Sequence, residues 1–596
     1  MGSSSGVLPQ ETHAEETTSE SPQRARLRRV FFFALNFVTC AALVALMVRV
    51  LSYGGFLALE WGMLAAFVLT LPWLSIGFWN AVIGLCLDVR YGEKAAAYVN
   101  PDLANVREDA PITSKTAIIM PLRNEDAADA ISRFQSVQHG LARTPYADAF
   151  EFHVLSDSDR PEILEEEERQ VAMWQRSAGS SRIAYRRRKT NTGFKAGNIA
   201  EFVHRCGEDY DFFLPLDADS VMGAEIILRM VRVMQASPKL GMLQSLVTGL
   251  PSGNFFTRAF QFGMRHGMRS FTLGSAWWQA DCGPNWGHNV LIRTIPFRDN
   301  CMLPVLPGRS PLSGPILSHD QLEAALIRRA GYETRVIAEE SDSHEINPPS
   351  VVDFIRRELR WCNGNLQYLR LLGLPGLKPT SRIQLVLAIL MYTSAPAWLA
   401  FIILGAALTV VGGQYEAVPI ELGLGIFAIV MTMNLAPKMM GLAQVLLRDD
   451  RSEAYGGRDR VLFGGFAEIV FGVLIAPIVA VAITVFVCGL FVGRRVGWDT
   501  QQRDRERLRW REAAASLWPQ GLFGAGLGLW LYVTSPGAIP FAIPILVPLL
   551  LAIPIAVLST HPAGGRWSRA IGLFDVPEDR LPTFATTDAL PAPDPA

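Results

Sequence analysis

The sequence predicts a globular α/β domain with a mainly parallel sheet, inserted into an α-helical polytopic membrane protein. Two observations carry that prediction. Half of the 596 residues are hydrophobic, only 19% are charged and the mean hydropathy is +0.21, too apolar for a disordered chain and high for an ordinary soluble enzyme. The excess is also unevenly placed. The stretch from Leu87 to Arg382 is mixed and charged, whereas both flanks carry long apolar runs.

At about 150 residues per domain the length alone allows roughly four units. A net charge of −1 supplies no bulk field for nucleic acid, so none is expected as a partner. The seven cysteines include no CxxC pair, which argues against a zinc site or a disulfide framework and fits a reducing, cytoplasmic setting.

In chain order, residues 1–29 read as a disordered cytoplasmic tail, rich in Ser, Thr, Glu and Pro and ending in Arg24, Arg26, Arg28 and Arg29. Residues 30–88 hold two apolar runs, each long enough to cross a bilayer, and the basic leading edge places the N-terminus inside. Residues 89–382 are then cytoplasmic. Residues 383–559 carry five further runs, with a basic loop at 494–512, and 560–596 form a cytoplasmic C-terminal tail. The run from Val461 to Val492 has arginines on both sides, so both flanks prefer the inside. Its 32 residues fall short of the roughly 40 that two helices need, and Pro477 at its middle predicts a broken or re-entrant arrangement. Seven or eight spans are expected.

Within 89–382, apolar strand-like runs at Thr116–Met120, Phe150–Leu155, Phe212–Leu216 and Gly241–Val247 alternate with helical patterns at Glu162–Trp174, Ala196–His204 and Ala224–Met234. In such sheets functional groups sit just beyond strand C-termini. The run ending at Met120 leads into Arg123-Asn124-Glu125, the second into Ser156-Asp157-Ser158-Asp159, and the third into Asp217-Ala218-Asp219. Two carboxylates at i and i+2 after an apolar strand can converge on a hard divalent cation, Mg²⁺ or Mn²⁺, that bridges to substrate phosphates. A lone DxD is just as commonly a turn and helix cap.

Asp320, in Ser318-His319-Asp320, opens an apolar-periodic helix and is either a dipole-stabilised helix carboxylate or a general base. Arg357, Arg360 and Trp361 share a helix face before the membrane segments resume, suited to phosphate and sugar or to anchoring at the membrane surface. Lys195 lies in a Gly- and cation-rich loop that suits a nucleotide phosphate, while the preceding Arg186-Arg187-Arg188 run reads as a solvated turn. Trp286, Gly287, His288 and Asn289 combine aromatic, Gly and amide groups in the manner of a sugar site or an ordinary turn.

The order Asp157, Lys195-Ala196-Gly197-Asn198, Asp217-Ala218-Asp219, His319-Asp320 and Arg357-x-x-Arg360-Trp361 resembles the family 2 processive glycosyltransferases, the group of cellulose, chitin and hyaluronan synthases. Arg357 stands where that group usually has Gln. Longer matches, Leu216-Asp217-Ala218-Asp219-Ser220-Val221-Met222, Trp286-Gly287-His288-Asn289, Ile316-Leu317-Ser318-His319-Asp320 and Arg360-Trp361-Cys362-Asn363-Gly364-Asn365-Leu366, resemble the glucans biosynthesis glucosyltransferase H family. The stretch Gln279–Pro284 departs from that family's pattern.

This resemblance implies a GT-A-like, Rossmann-like catalytic domain and eight membrane spans in a bacterial inner-membrane enzyme of osmoregulated periplasmic glucan synthesis. The implied reaction is an inverting, processive transfer from UDP-glucose to a growing β-1,2-glucan coupled to export, with a periplasmic glucan-processing protein as a further partner. Asp320 would be the base. Asp217 and Asp219 would hold Mg²⁺ or Mn²⁺, and Asp157 with Asn124 and Glu125 would contact uridine. Lys195, Arg357 and Arg360 would meet phosphate, His319 would line the substrate site, and Trp361 would stack on the acceptor. Trp286, His288 and Asn289 would add acceptor contacts, and Trp498 and Thr500 would belong to a gating loop. The alternatives are a synthase of another β-polysaccharide, a transporter or regulator with an inactive transferase domain, and a nucleotide-gated sensor that would not need Asp320.

Overall fold

The computed structural model describes residues 20–53, 55–178, 182–309, 311–411, 420–493 and 507–580. Ten strands form two sheets: β1 Thr116–Leu122, β2 Phe150–Ser156, β3 Ile183–Arg187, β4 Phe212–Pro215, β5 Ser220–Met222, β6 Leu240–Ser245, β7 Thr248–Gly249, β8 Val290–Arg293, β9 Glu333–Ile337 and β10 Ser343–Glu345. The larger sheet has the order β3-β2-β1-β4-β8-β6-β9 and the smaller β5-β10-β7. Only β8 runs antiparallel to its neighbours in the larger sheet, so the mainly parallel expectation holds with one reversed strand.

The four expected strands are all present, and their near-continuous burial shows why they were readable: β1 and β6 are inside along almost their whole length, as strands covered on both faces must be. The strand β3 lies at the sheet edge, with only Ile183 buried and Tyr185, Arg186 and Arg187 following, so its sequence imitates a charged turn.

Helices Ala127–Ala142, Pro161–Ala178 and Ala224–Ala236 cover one face around Phe134, Trp174 and Met230. The opposite face packs on helices Phe194–Cys206 and Asp320–Arg329, and its core runs on without a break into Leu385, Ile389 and Tyr392 of the helix Pro379–Val411. The globular domain and the long apolar helices therefore share one hydrophobic core.

Five helices are long and apolar enough to cross a membrane: Pro22–Leu51, Ala58–Val99, Pro379–Val411, Ile420–Leu446 and Arg458–Phe491. A sixth unit, Pro536–Leu550 with Ala552–Ser559, is bent by 56°. Among the described residues this gives five or six, against the seven or eight expected. The apolar run near Leu517 does form a helix, Trp510–Thr534, but Gln520, Gly521, Gly524, Gly526 and Gly528 dilute it.

The expected break at Pro477 is not found: Arg458–Phe491 is one helix of 34 residues, about 51 Å at 1.5 Å per residue. Near its start Val461 packs with Phe262 and Phe574, and Arg460 meets Asp575 at 3.1 Å. In its middle Phe471 lies 5.5 Å from Phe255, and Ile478 packs with Val351. Toward its end Phe486 and Leu490 join the core that holds Ile316 and Leu322. The helix packs on neighbouring elements near its start, in its middle and toward its end. Proline is tolerated inside such a helix where neighbouring helices pack on it; Pro477 is itself buried, and Gln520 Nε2 donates to the carbonyl of the next residue, Ile478, at 3.1 Å.

Both termini are more structured than expected. The first helix starts at Pro22, capped by Ser21, and takes Arg24–Arg29 into its first turns. It docks on the catalytic domain. Arg29 donates to the carbonyls of Trp278 and Gln279 and pairs with Asp281, which also pairs with Arg328; Phe32 stacks on Trp278 at 4.8 Å. This accounts for the unusual Gln279–Pro284 stretch, where Ala280 turns with φ 51°. At the other end Pro562–Ala570 is helical, and Asp575, Glu578 and Asp579 bind Arg258 and Arg265 of the helix Phe255–Gln279, so 560–580 is a docked segment and not a loose tail.

Candidate active site

A cleft of about 1100 Å³ opens over the C-terminal ends of β1, β2 and β4, larger than the 300–1,000 Å³ typical for one small ligand. Its walls include Asn124, Glu125, Asp157, Lys195, Asp217, Asp219, Trp286, His288, His319, Asp320, Arg357, Arg360 and Trp361. Residues spread over nearly 240 positions of sequence are thus brought to one place. Trp498 and Thr500 lie outside the described residues, although Glu512, just after that segment, reaches the rim and pairs with Arg356 at 3.3 Å.

The turn after β1 is clasped to the turn after β2. Asn124 takes a left-handed φ of 53°, its backbone N–H donates to Ser158 Oγ at 2.8 Å, and its side chain bonds Asp159 in both directions. Asp157 is held by Arg188 through two bonds, Nε to Oδ1 at 2.6 Å and Nη2 to Oδ2 at 2.7 Å, with both side chains almost fully buried. The expectation that the arginine run is a solvated turn is therefore corrected at Arg188. Its guanidinium is the counter-charge that lets a carboxylate sit at the base of the cleft.

After β4, Ser220 N donates to Asp217 O in a tight turn that aims both aspartates into the cleft. Lys195, on the helix Phe194–Cys206, reaches across to Asp217 and also donates to Gly287 O at 2.8 Å. Among the described residues no group of three His, Cys, Asp or Glu side chains could hold a metal by itself. Two oxygen-donor carboxylates in a cleft still fit a hard cation, because Mg²⁺ is characteristically held by one or two carboxylates plus substrate phosphates and water. The donors fit the group, and the substrate would complete its shell.

Asp320 is the first residue of the helix Asp320–Arg329, and Gly287, with φ 85°, lies against it, where an added Cβ would stand 3.4 Å from Asp320 Cβ. Burial raises the Asp320 carboxyl above the usual carboxylate range, and the neighbouring His319 partly offsets that. His319 is itself raised: burial opposes its charge, but Glu323 and then Asp320 outweigh it. On the facing helix Val351–Gln367, Arg357 lies 4.6 Å over the ring of Trp361, whose side remains 44% exposed toward the cleft.

Asn289 is not brought to the cleft. It is fully buried, and its amide donates to Ser343 Oγ at 2.9 Å, fastening β8 to the smaller sheet. His288 does reach the cleft, with Nδ1 3.1 Å from Ser220 Oγ and Nε2 3.3 Å from Glu345. Sequence reasoning missed Glu345, which burial raises in pKa despite His288, and it missed Glu323 and Arg356. Glu345 lies on a three-residue strand that has no hydrophobic pattern to announce it.

Family models described as glycosyl transferase family 2 and glycosyl transferase family group 2 match residues 117–300 and 212–412. A protein of Xanthomonas campestris pv. campestris (strain B100) named glucans biosynthesis glucosyltransferase H is 34% identical over 581 residues, 94% of this chain and 89% of its own. The chain belongs to the glucans biosynthesis glucosyltransferase H family. A second member, from Xylella fastidiosa (strain 9a5c), is 33% identical over 584 residues, 94% of this chain and 90% of its own. Among solved structures, a mannosyltransferase of Pyrobaculum calidifontis in complex with GDP-Man and Mn²⁺ matches with TM-score 0.37 and 13% identity, covering 61% of this chain and 97% of its own. The protein is a membrane glucosyltransferase of glucan biosynthesis with a GT-A-like catalytic domain.

Proposed function

We propose that the protein transfers glucose from UDP-glucose to the end of a growing β-1,2-glucan, with inversion and without releasing the chain, and delivers the polymer across the bacterial inner membrane, where a periplasmic glucan-processing protein receives it. The observation that supports this most is the convergence of Asp320, the Asp217/Asp219 pair and the Arg357–Trp361 stack on one cleft large enough for donor and acceptor together.

Asp320 takes the proton of the attacking hydroxyl as that oxygen bonds to the anomeric carbon. The bond from that carbon to the phosphate oxygen breaks on the opposite face, and UDP leaves with the electron pair. Raised basicity in a half-buried carboxylate suits this task. Asp217 and Asp219 would hold Mg²⁺ or Mn²⁺, which supplies charge neutralisation for the diphosphate. Lys195, Arg357 and Arg360 add cationic contacts to phosphate, and Asp157, Asn124 and Glu125 form the uridine end of the cleft. Trp361, backed by Arg357, offers a flat apolar face to the acceptor sugar, with Trp286 and His288 beside it and His319 behind the base. The core shared by the catalytic domain and the membrane helices supports delivery of the product straight into the bundle.

Purified full-length protein in nanodiscs, given labelled UDP-glucose with Mg²⁺ or Mn²⁺, is expected to make β-1,2-linked polymer by linkage analysis. A product of other linkage, or none, overturns the reading.

A further inference from the structure

We propose that Glu323 is a positioning residue: it holds His319 as the imidazolium beside Asp320 and so keeps the base ionised in the cleft wall. This rests on the reading of Asp320 as the base.

The argument starts from a cost. Glu323 is 3% exposed in the first turn of the helix Asp320–Arg329, and glutamate is almost never buried so completely without a partner. A second buried acid three residues from the base would also repel the carboxylate form of Asp320 and hinder catalysis. The arrangement makes sense only with a cation between them. His319, one helical turn before Glu323, places Nδ1 3.0 Å from Glu323 Oε1, and both side chains are nearly inaccessible. The other oxygen, Oε2, faces Asn285 Nδ2 at 3.5 Å, and the same amide donates to the backbone carbonyl of Asp320 at 3.2 Å. Asn285, Glu323 and His319 thus enclose the turn that carries the base.

The helix N-terminus favours both carboxylates. The ionisable groups that face Asp320 are His319 and Glu323 from its own helix, Lys195 from the helix Phe194–Cys206, and Tyr368 from the turn after Val351–Gln367, whose hydroxyl donates to Ser318 O at 2.7 Å. The Lys195 ammonium is taken up by Asp217 and Gly287, and Tyr368 is neutral because burial pushes its pKa well up. Among the described residues His319 is the cation that acts most on the base, ahead of Lys195, and Glu323 is what keeps it charged. Of these neighbours His319 acts more strongly on Asp320 than Glu323 does, so losing the pair raises the base further.

The test is the pH profile of kcat for polymer synthesis by the full-length enzyme in nanodiscs. Glu323→Gln is expected to move the acid limb upward by about one pH unit, with KM for UDP-glucose changed less than about twofold. His319→Gln should move it further, since Glu323 is then left unpaired. The double variant should return to the Glu323→Gln position, and Glu323→Asp should restore most of the wild-type profile. A fall in kcat with an unmoved limb, or additive shifts in the double variant, overturns the proposal. Asp320→Asn measured alongside separates the two readings. Activity retained there overturns the base and Glu323's role together, whereas activity lost there with an unmoved limb in Glu323→Gln overturns the role of Glu323 alone.

Discussion

Replacing Arg188 by Met isolates the ion pair under the cleft. Arg188 and Asp157 are bonded through two guanidinium nitrogens and both carboxylate oxygens, and their side chains are 6% and 5% exposed. Removing one partner leaves a carboxylate in a site built for a pair, a loss of about 3–5 kcal/mol. At roughly 2–4 °C per kcal/mol for a domain of this size, that corresponds to a fall on the order of 10 °C in the unfolding midpoint. Intrinsic tryptophan fluorescence on heating reads it directly, because Trp174 sits in the core beneath the same strands. The double variant Asp157→Asn/Arg188→Met removes the stranded charge and should recover a large part of the loss. An unchanged midpoint in Arg188→Met, or a double variant no better than the single one, would refute the view that Arg188 exists to carry Asp157.

Three further outcomes are expected. Asp320→Asn should lower kcat by about 10²–10⁴-fold with the protein still folded, measured as UDP release. Gly274→Leu should destabilise the docking of the helix Phe255–Gln279 on Ala58–Tyr91, because a Cβ at Gly274 would lie 1.9 Å from Asn80 O; Gly267→Ala, with nothing within 4 Å of its Cβ, is the control for folded yield and midpoint. Glu340 is disfavoured as a charge by burial, yet Arg265 and Arg269 hold it at about 2, below an ordinary value of 4.5. Its contribution is therefore complete above the ordinary value and lost as pH falls toward about 2. Glu340→Gln should flatten the acid-side decline of the midpoint across that window.

The legible parts of the molecule were those whose physics is local. The strands β1 and β4 announce themselves because strands buried on both faces must be apolar throughout, β2 because its apolar residues alternate before a buried end, and the acidic turns beyond β2 and β4 cannot be core. Asp320 was legible as a helix start. What stayed hidden depends on partners distant in sequence. Arg188 looks like surface until Asp157 is placed against it. Glu345 sits on a strand too short to show a period, and Asn289 resembles a sugar-binding amide until β8 carries it under the smaller sheet. Pro477 was misread because helix-breaking rules were applied to a helix that packs along its length on its neighbours, with Pro477 itself buried among them.

The grip on Asp281 bears on how such an enzyme can be dissected. Arg29 holds it from the first membrane helix and Arg328 holds it from the helix that begins at Asp320, while Glu20 lies 3.5 Å from Arg335 and Phe32 covers Trp278. A fragment cut to begin at residue 89 would lose the Arg29 partner of Asp281 and bare the Trp278 indole that Phe32 covers. The hydrophilic portion is not a detachable soluble enzyme tethered for convenience. The first membrane helix is packed and ion-paired into it, through Arg29 on Asp281, Glu20 beside Arg335 and Phe32 on Trp278.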